Sequence, residues 1–298
     1  YFGNTRYQYP FIADEFPDKI DWDIKQIRIL TIDIECESEN GFPDPDKAEE
    51  PLICITVKDH EKKNIKVFGM GNFVNDRDDV DYIKCSSEID LVHRFTDFWC
   101  KYNPDIITGW NVKFFDIPYL MNRFRYLMGD EYILQFSPWG VVSEGTALAL
   151  GYNRTQKYWD IMGVSTLDYL DLYRKHTFVR RESYKLDYIG EVELGENKLD
   201  NPYDTFKEFY SKDHQLFVEY NIQDVELVDK LEDKMQLIAL HLTMAYEAKV
   251  NYQDVFGQVR VWDTIIYNHL RDKNIVPPAM QESKTSDGYE GAYVKDPV

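Results

Sequence analysis

Asp33 and Glu35 stand two apart at the end of an apolar run, Asp116 follows a second apolar run, and Asp224 stands four residues after Tyr220 in a helical pattern. Carboxylate oxygens are the ligands that Mg²⁺ and Mn²⁺ prefer. Two such ions about 4 Å apart can ionise water and stabilise the departing oxygen of a displaced phosphate. The chemistry on offer is therefore metal-assisted phosphodiester hydrolysis. With 53 acidic residues, an Asp-x-Glu triplet arises easily by chance, so context has to decide. On a strand, residues two apart project from one face, which puts Asp33 and Glu35 together while Ile32 and Ile34 enter the opposite layer. Paired like charges repel unless a cation sits between them. Asp116 falls at the expected start of a helix, where a carboxylate alternatively serves as a cap. Tyr220 and Asp224 share a helix face with Leu227 and Leu231 near the same stripe, and an Asp there is costly unless a charge or metal receives it.

These side chains need elements to hold them. Ile27 to Ile34, Leu52 to Val57 and Ile65 to Phe68 are apolar, β-branched runs separated by turn-rich or charged segments, and predict an antiparallel meander. From Ser87 the period changes. Leu91, Val92, Phe95, Phe98, Trp99 and Tyr102 follow helical spacing after a Ser87-x-x-Asp90 capping pattern. Asp105 to Gly109 reads as a short buried strand, and Ile117, Leu120, Met121, Phe124 and Leu127 trace the next helical face. Strand, helix, strand, helix predicts a right-handed parallel crossover. Val141 to Ile161 could turn a hairpin around Gly151 to Arg154. Asp213 to about Ala248 reads as one long or two abutting helices, and Val259 to Lys273 as another. The architecture expected is α/β, a mixed sheet of about five strands with helices on both faces.

The bulk composition is ordinary for a globular chain, with 44% hydrophobic and 29% charged residues among 298. No apolar run approaches membrane-spanning length. Cys36, Cys54, Cys85 and Cys100 show no metal-binding spacing and no disulfide framework, which fits a reducing cytoplasm and, for Cys36 and Cys54, inert core thiols. The net charge of −19 argues against broad nucleic-acid binding, although a metal site needs clustered carboxylates and its ions offset them locally. The start, Tyr1-Phe2-Gly3, has neither an initiator Met nor a signal pattern and reads as a cut inside a longer protein.

Asp33-x-Glu35, Asn111-x-x-x-Phe115-Asp116 and Tyr220-x-x-x-Asp224, in this order, resemble the three exonuclease motifs of family B DNA polymerases. More distantly they resemble the DEDD exonucleases of ribonuclease H-like fold. The pattern is similar to that of T-even-like bacteriophage replicative polymerases through Asp33 to Pro43, Thr108 to Val112, Ser183 to Ile189 and Gly291 to Lys295. The resemblance implies residues 1–23 as the tail of an amino-terminal domain, 24–273 as a 3′-to-5′ exonuclease domain, and 274–298 as a linker into a palm domain. The family's polymerase motif does not occur, so no DNA synthesis is expected of this piece.

The same resemblance implies that Asp33, Glu35 and Asp224 hold one catalytic metal, with Asp33 bridging to a second that Asp116 reaches. The two ions would be Mg²⁺ or Mn²⁺. Tyr220 would orient the attacking water, Phe42 would stack on the terminal base, Asn111 would hydrogen-bond the single strand and Lys198 would approach the scissile phosphate. The stretch 141–161 would be the hairpin that helps move a mismatched end between active sites. The expected activity is proofreading, the release of nucleoside monophosphates from frayed DNA 3′ ends. Expected partners are single-stranded or primer-template DNA, the remaining polymerase domains and a sliding clamp through the full-length protein, in the host cytoplasm and with no membrane. The alternatives are an oligoribonuclease-like enzyme with the same four acids and a non-catalytic module that braces a polymerase.

Overall fold

A computed structural model describes residues 6–37, 41, 43–148 and 155–276 of the chain. Helix α1 (Gln8–Glu15) leads into strands β1 (Ile29–Cys36), β2 (Leu52–Asp59), β3 (Ile65–Gly69) and β4 (Val80–Lys84). Helix α2 (Glu88–Tyr102), strand β5 (Ile106–Thr108), helix α3 (Asp116–Met128) and the single turn α4 (Asp130–Ile133) follow. Strands β6 (Val142–Leu148), β7 (Thr155–Ile161) and β8 (Ser165–Thr166) come next. The remainder is helical: α5 (Tyr169–His176), α6 (Leu186–Leu194), α7 (Phe206–Lys212), α8 (His214–Met235), α9 (Leu237–Ala248) and α10 (Gln258–Asp272).

The main sheet has strand order β4-β3-β2-β1-β5-β8. The meander β1, β2, β3 is antiparallel, and β4, β5 and β8 add in parallel. The sheet therefore has six strands where five were expected. The two edge strands match no run read in the sequence: β4 is polar and half exposed, and β8 is two residues long, so neither carries an apolar run. The apolar run at Ile27 also misplaces β1 by two residues. The strand carries through both acids to Cys36 because β2 pairs with it along Leu30 to Cys36, with a register shift between Glu35 and Cys36. Such bulges re-aim side chains at strand ends.

Helices cover both faces. On one, Leu30, Ile32 and Ile34 pack with Leu91, Phe95 and Trp99 of α2 and Ile117, Leu120 and Phe124 of α3. The Ser87 hydroxyl accepts the Asp90 N–H at 3.2 Å, which caps α2 as its spacing predicted. On the other face the 22-residue α8 crosses the sheet. Its first half packs Phe217, Val218, Ile222 and Val225 on Ile53, Ile65 and Val67, and its second half packs Leu227 and Leu231 on Ile29 and Ile106. Because Ile32 and Ile34 enter the α2/α3 layer, strand alternation sends Asp33 and Glu35 toward α8.

The long helical stretch breaks at Gln236, in the left-handed region at φ 52°, and the buried Glu232 carboxylate accepts the N–H groups of Ile238 (3.0 Å) and Ala239 (3.3 Å) at the start of α9. The segment before residue 24, read as lacking any period, contains α1. Its Tyr9 is wholly buried against Ala245, Ala248, Val255 and Val261, and Arg271 pairs with Asp14 at 2.8 Å. The hairpin is present as β6 and β7 pairing from Val142↔Ile161 to Leu148↔Thr155. Residues 149–154 at its turn lie outside the described residues.

Phe95 is the hub of the α2/α3 layer, with ring contacts to Phe68, Phe98, Trp99, Phe124 and Phe136 at centroid distances of 5.6 to 6.5 Å. Truncating a buried aromatic removes its transfer free energy and leaves a cavity. Phe95→Ala should therefore cost about 3–5 kcal/mol in urea unfolding. A loss below about 1 kcal/mol would show that this layer does not hold the sheet.

Candidate active site

Strand β5 ends at Thr108, whose partner on β1 is Thr31, so the outer edge of β1 is unpaired by β5 beyond that point. Asp116, the first residue of α3, fills the gap: its Oδ1 accepts the N–H of Ile34 at 3.1 Å. This one bond places the Asp116 carboxyl beside the strand that carries Asp33 and Glu35. The chain between β5 and α3 gets there through Gly109, at φ +153°, where an added Cβ would lie 2.4 Å from the Ile32 carbonyl oxygen. Only glycine lets the backbone cross β1 that closely.

Asp224 reaches the same place from α8, between the two halves of that helix's apolar footing. One carboxylate oxygen each from Asp33, Glu35 and Asp224 lie within 4.8 Å of one another. Asp116 stands beside this trio and is not among its members. All four acids line one cavity of about 690 Å³ together with Asn111, Lys198 and Tyr220. Phe42 lies outside the described residues, while its neighbours Gly41 and Pro43 line the cavity.

Such crowding has an electrostatic consequence. Burial, then the charges of Asp224, Asp116 and Glu35, holds the Asp33 carboxyl well above the usual carboxylate range. Burial followed by Asp224 pushes Glu35 up to about 8. Asp116 is raised by burial to about 7 although the Ile34 N–H favours its ionised form, and burial raises Asp224 against the pull of Lys198. The buried Asp33 Oδ2 and Asp224 Oδ1 have no hydrogen-bond partner. Unpartnered buried carboxylate oxygens are expensive, and hard divalent cations take oxygen donors of this kind. The donor set therefore fits a divalent metal.

Lys198 is the local cation. Its ammonium pairs with Asp224 and approaches the Tyr220 hydroxyl at 3.4 Å, while its backbone N–H is held by Asp187 Oδ1 at 2.9 Å. Burial disfavours its charge, but Asp224, Tyr220 and Asp33 together raise its pKa. Here it is three-quarters buried, with a side-chain exposure of 25%.

Asn111 has φ 67°, a left-handed conformation that Asn tolerates, and its carbonyl accepts the N–H groups of Phe114 and Phe115. It thus serves the turn while its residue lines the cavity. Sequence reasoning missed what fixes that turn. Buried Asp168 accepts the N–H groups of Asn111 (3.1 Å), Lys113 (2.9 Å) and Leu170 (2.9 Å), tying the turn to the start of α5. The available signal was a helix-capping Asp before Tyr169, an inconspicuous one among so many acids. On the opposite rim, α3 anchors the 44–50 loop: Arg123 donates to both oxygens of Glu88 and to the carbonyls of Ala48 and Glu49.

The raised carboxyls set a pH dependence. In metal-free protein, well below pH 4 these raised carboxyls hold their protons in the folded and unfolded chains alike. As pH rises toward 8 the unfolded chain releases its protons first, so the folded state loses stability between roughly pH 4 and 8. With EDTA, the melting temperature should fall across this window, less so in Glu35→Gln. The gain on adding Mn²⁺ should grow with pH. A metal-induced shift that is absent, or equal at both ends of the window, would count against a carboxylate metal site.

Residues 8–189 match the model for the exonuclease domain of DNA polymerase family B. A DNA-directed DNA polymerase of Escherichia phage RB69 is 33% identical over 99% of this chain and 35% of its own length. One of Enterobacteria phage T4 is 32% identical over 99% of this chain and 35% of its own. A DNA polymerase delta catalytic subunit of Caenorhabditis elegans is 27% identical over 92% and 26%. The chain spans about a third of the length of the curated relatives it matches. No helix among the described residues is long and apolar enough to cross a membrane. With a six-stranded mixed sheet between helices, an acid-lined cavity at its centre and these relatives, the chain belongs to the family B DNA polymerase exonuclease domains.

Proposed function

We propose that this chain is a proofreading 3′-to-5′ exonuclease unit, hydrolysing the terminal phosphodiester of single-stranded or frayed DNA and releasing nucleoside monophosphates. The observation that carries this reading is the convergence of Asp33, Glu35, Asp116 and Asp224 on one cavity, with buried oxygens of Asp33 and Asp224 left unpartnered. A brace gains nothing from such an arrangement, which costs stability until cations arrive.

Asp33, Glu35 and Asp224 would hold one divalent ion, and Asp33 and Asp116 would supply oxygens to a second. Mg²⁺ or Mn²⁺ suits an all-oxygen set. Bound there, the ions supply the acidity that ionises water near neutral pH and the charge that steadies the leaving oxygen. The chain's own residues do the rest. The Tyr220 hydroxyl, one turn before Asp224 on the same face of α8, orients the attacking water. Lys198 offers its ammonium to the scissile phosphate and holds Asp224 in register. Asn111, locked by Asp168, meets the strand near its end, and Phe42 stacks on the terminal base. The water oxygen bonds to phosphorus as the P–O3′ bond breaks, the phosphate leaves as the 5′-phosphate of the released nucleotide, and O3′ takes up a proton to become the 3′-hydroxyl of the shortened strand.

Little base reading is needed, because a mismatched end melts at lower cost and stacking tolerates any base. The functional unit is the stretch 24–273, with the segments on either side leading to other polymerase domains. Primer-template DNA, those domains, a sliding clamp reached through them and a host cytoplasm complete the setting proposed.

Hydrolysis of a labelled single-stranded oligonucleotide with Mn²⁺ tests the reading. Asp116→Ala should lower kcat by about 10³-fold, the scale of several kcal/mol of lost charge stabilisation. Shortening at the wild-type rate by that variant, or none by the wild type, would sink it. Tyr220→Phe should lower kcat about ten- to a hundredfold, with the metal dependence unchanged, if its hydroxyl positions water. A raised KM at constant kcat would instead make Tyr220 a binding residue.

A further inference from the structure

The chain carries 34 basic against 53 acidic residues, yet residues 174–185 reverse that balance: Arg174, Lys175, Arg180, Arg181 and Lys185 face a single acid, Glu182. The fold turns this stretch into one wall of a groove of about 850 Å³. Arg174, Lys175, Arg180 and Lys185 line it with Phe178, Tyr184 and Phe256, against the single acid Glu182. Arg181 turns away and is spent on Glu193 (2.6 Å) and Tyr173 (2.9 Å).

Three features say what the groove fits. It shares Tyr184 and Lys185 with the acid-lined cavity, so the two concavities adjoin along these residues. Phe178 is 99% exposed, a large apolar cost for a side chain with nothing to cover it. The Arg174 guanidinium lies 4.5 Å from the Tyr184 ring centroid, and Lys175 reaches the Phe256 carbonyl at 3.1 Å, so cation and ring are presented as a fixed unit. Alternating cations and aromatic faces match a flexible polyanion with exposed bases, and stacking needs those bases unpaired.

We infer that this groove carries the single strand on the 5′ side of the nucleotide being removed, with Arg180 and Lys185 on phosphates and Phe178 stacking on a base. The inference rests on the exonuclease reading for its direction, since the 3′ end must sit among the carboxylates. A net charge of −19 opposes DNA, which favours approach along a locally basic lane.

The test is fluorescence anisotropy of a labelled oligothymidylate of about twelve nucleotides in EDTA, which removes hydrolysis from the measurement. The double variant Phe178→Ala/Arg180→Ala changes only exposed side chains. It should bind about tenfold more weakly, with the salt slope between about 50 and 200 mM shallower by about 0.7. With Mn²⁺, its kcat and KM on a thymidine dinucleotide, too short to enter the groove, should match wild type, whereas KM for the long oligonucleotide should rise about tenfold. Arg180→Glu should weaken binding further. Wild-type affinity in the double variant overturns the inference even if hydrolysis is intact. Equal weakening for a blunt duplex overturns its assignment to a single strand. Weaker binding in the variant, with neither protein shortening any oligonucleotide, keeps the groove and removes the exonuclease reading.

Discussion

Mutual repulsion among four carboxylates is the constraint around which this molecule is arranged. A protein that brings Asp33, Glu35, Asp116 and Asp224 to one cavity loses hydration of each and gains unfavourable charge among them. Three devices hold them nonetheless: the pleat of a strand paired deep in the sheet, one backbone hydrogen bond from Ile34 to Asp116, and a lysine ammonium on Asp224. None neutralises the set. The carboxyls remain raised above their ordinary range, a residual cost that a bound divalent ion would relieve.

The sheet and its two helical layers supply the stiffness this requires. On one side the Phe95 cluster fixes α2 and α3, and with them the origin of Asp116. On the other, α8 has two apolar footings on the sheet with Asp224 between them, so its position is set at both ends. The turn from β5 to α3 is the most exacting part. Gly109 permits the approach to β1, and Asp168 collects the free N–H groups of the turn. Charge is segregated along with this scaffold: acids gather in the central cavity, and a locally basic groove lies beside it.

Much of this was legible in the residues. The antiparallel meander, the cap of α2, the abutting helices α8 and α9 and the hairpin follow from periods and turn residues that report local geometry. The edge strands β4 and β8 were not legible, because a short or half-polar strand has no apolar run and exists only through its neighbour. Helix α1 was hidden for a similar reason. Its Tyr9 is buried by α9 and α10, more than two hundred residues away. No local pattern placed Lys198 next to Asp224 until the fold brought the two together, and Asp168 was indistinguishable among 53 acids.

The sequence alone determined which side chains share an element and a face, since strand and helix periods are properties of the local backbone. It therefore paired Asp33 with Glu35 and Tyr220 with Asp224, and the order of the three motifs was enough to mark the family. Only tertiary structure decided that these pairs meet, that Asp116 stands beside the close trio of carboxylates instead of within it, and that a basic groove adjoins the acidic cavity. Those are distances between segments, and they are set by packing of the whole core, which no local period encodes.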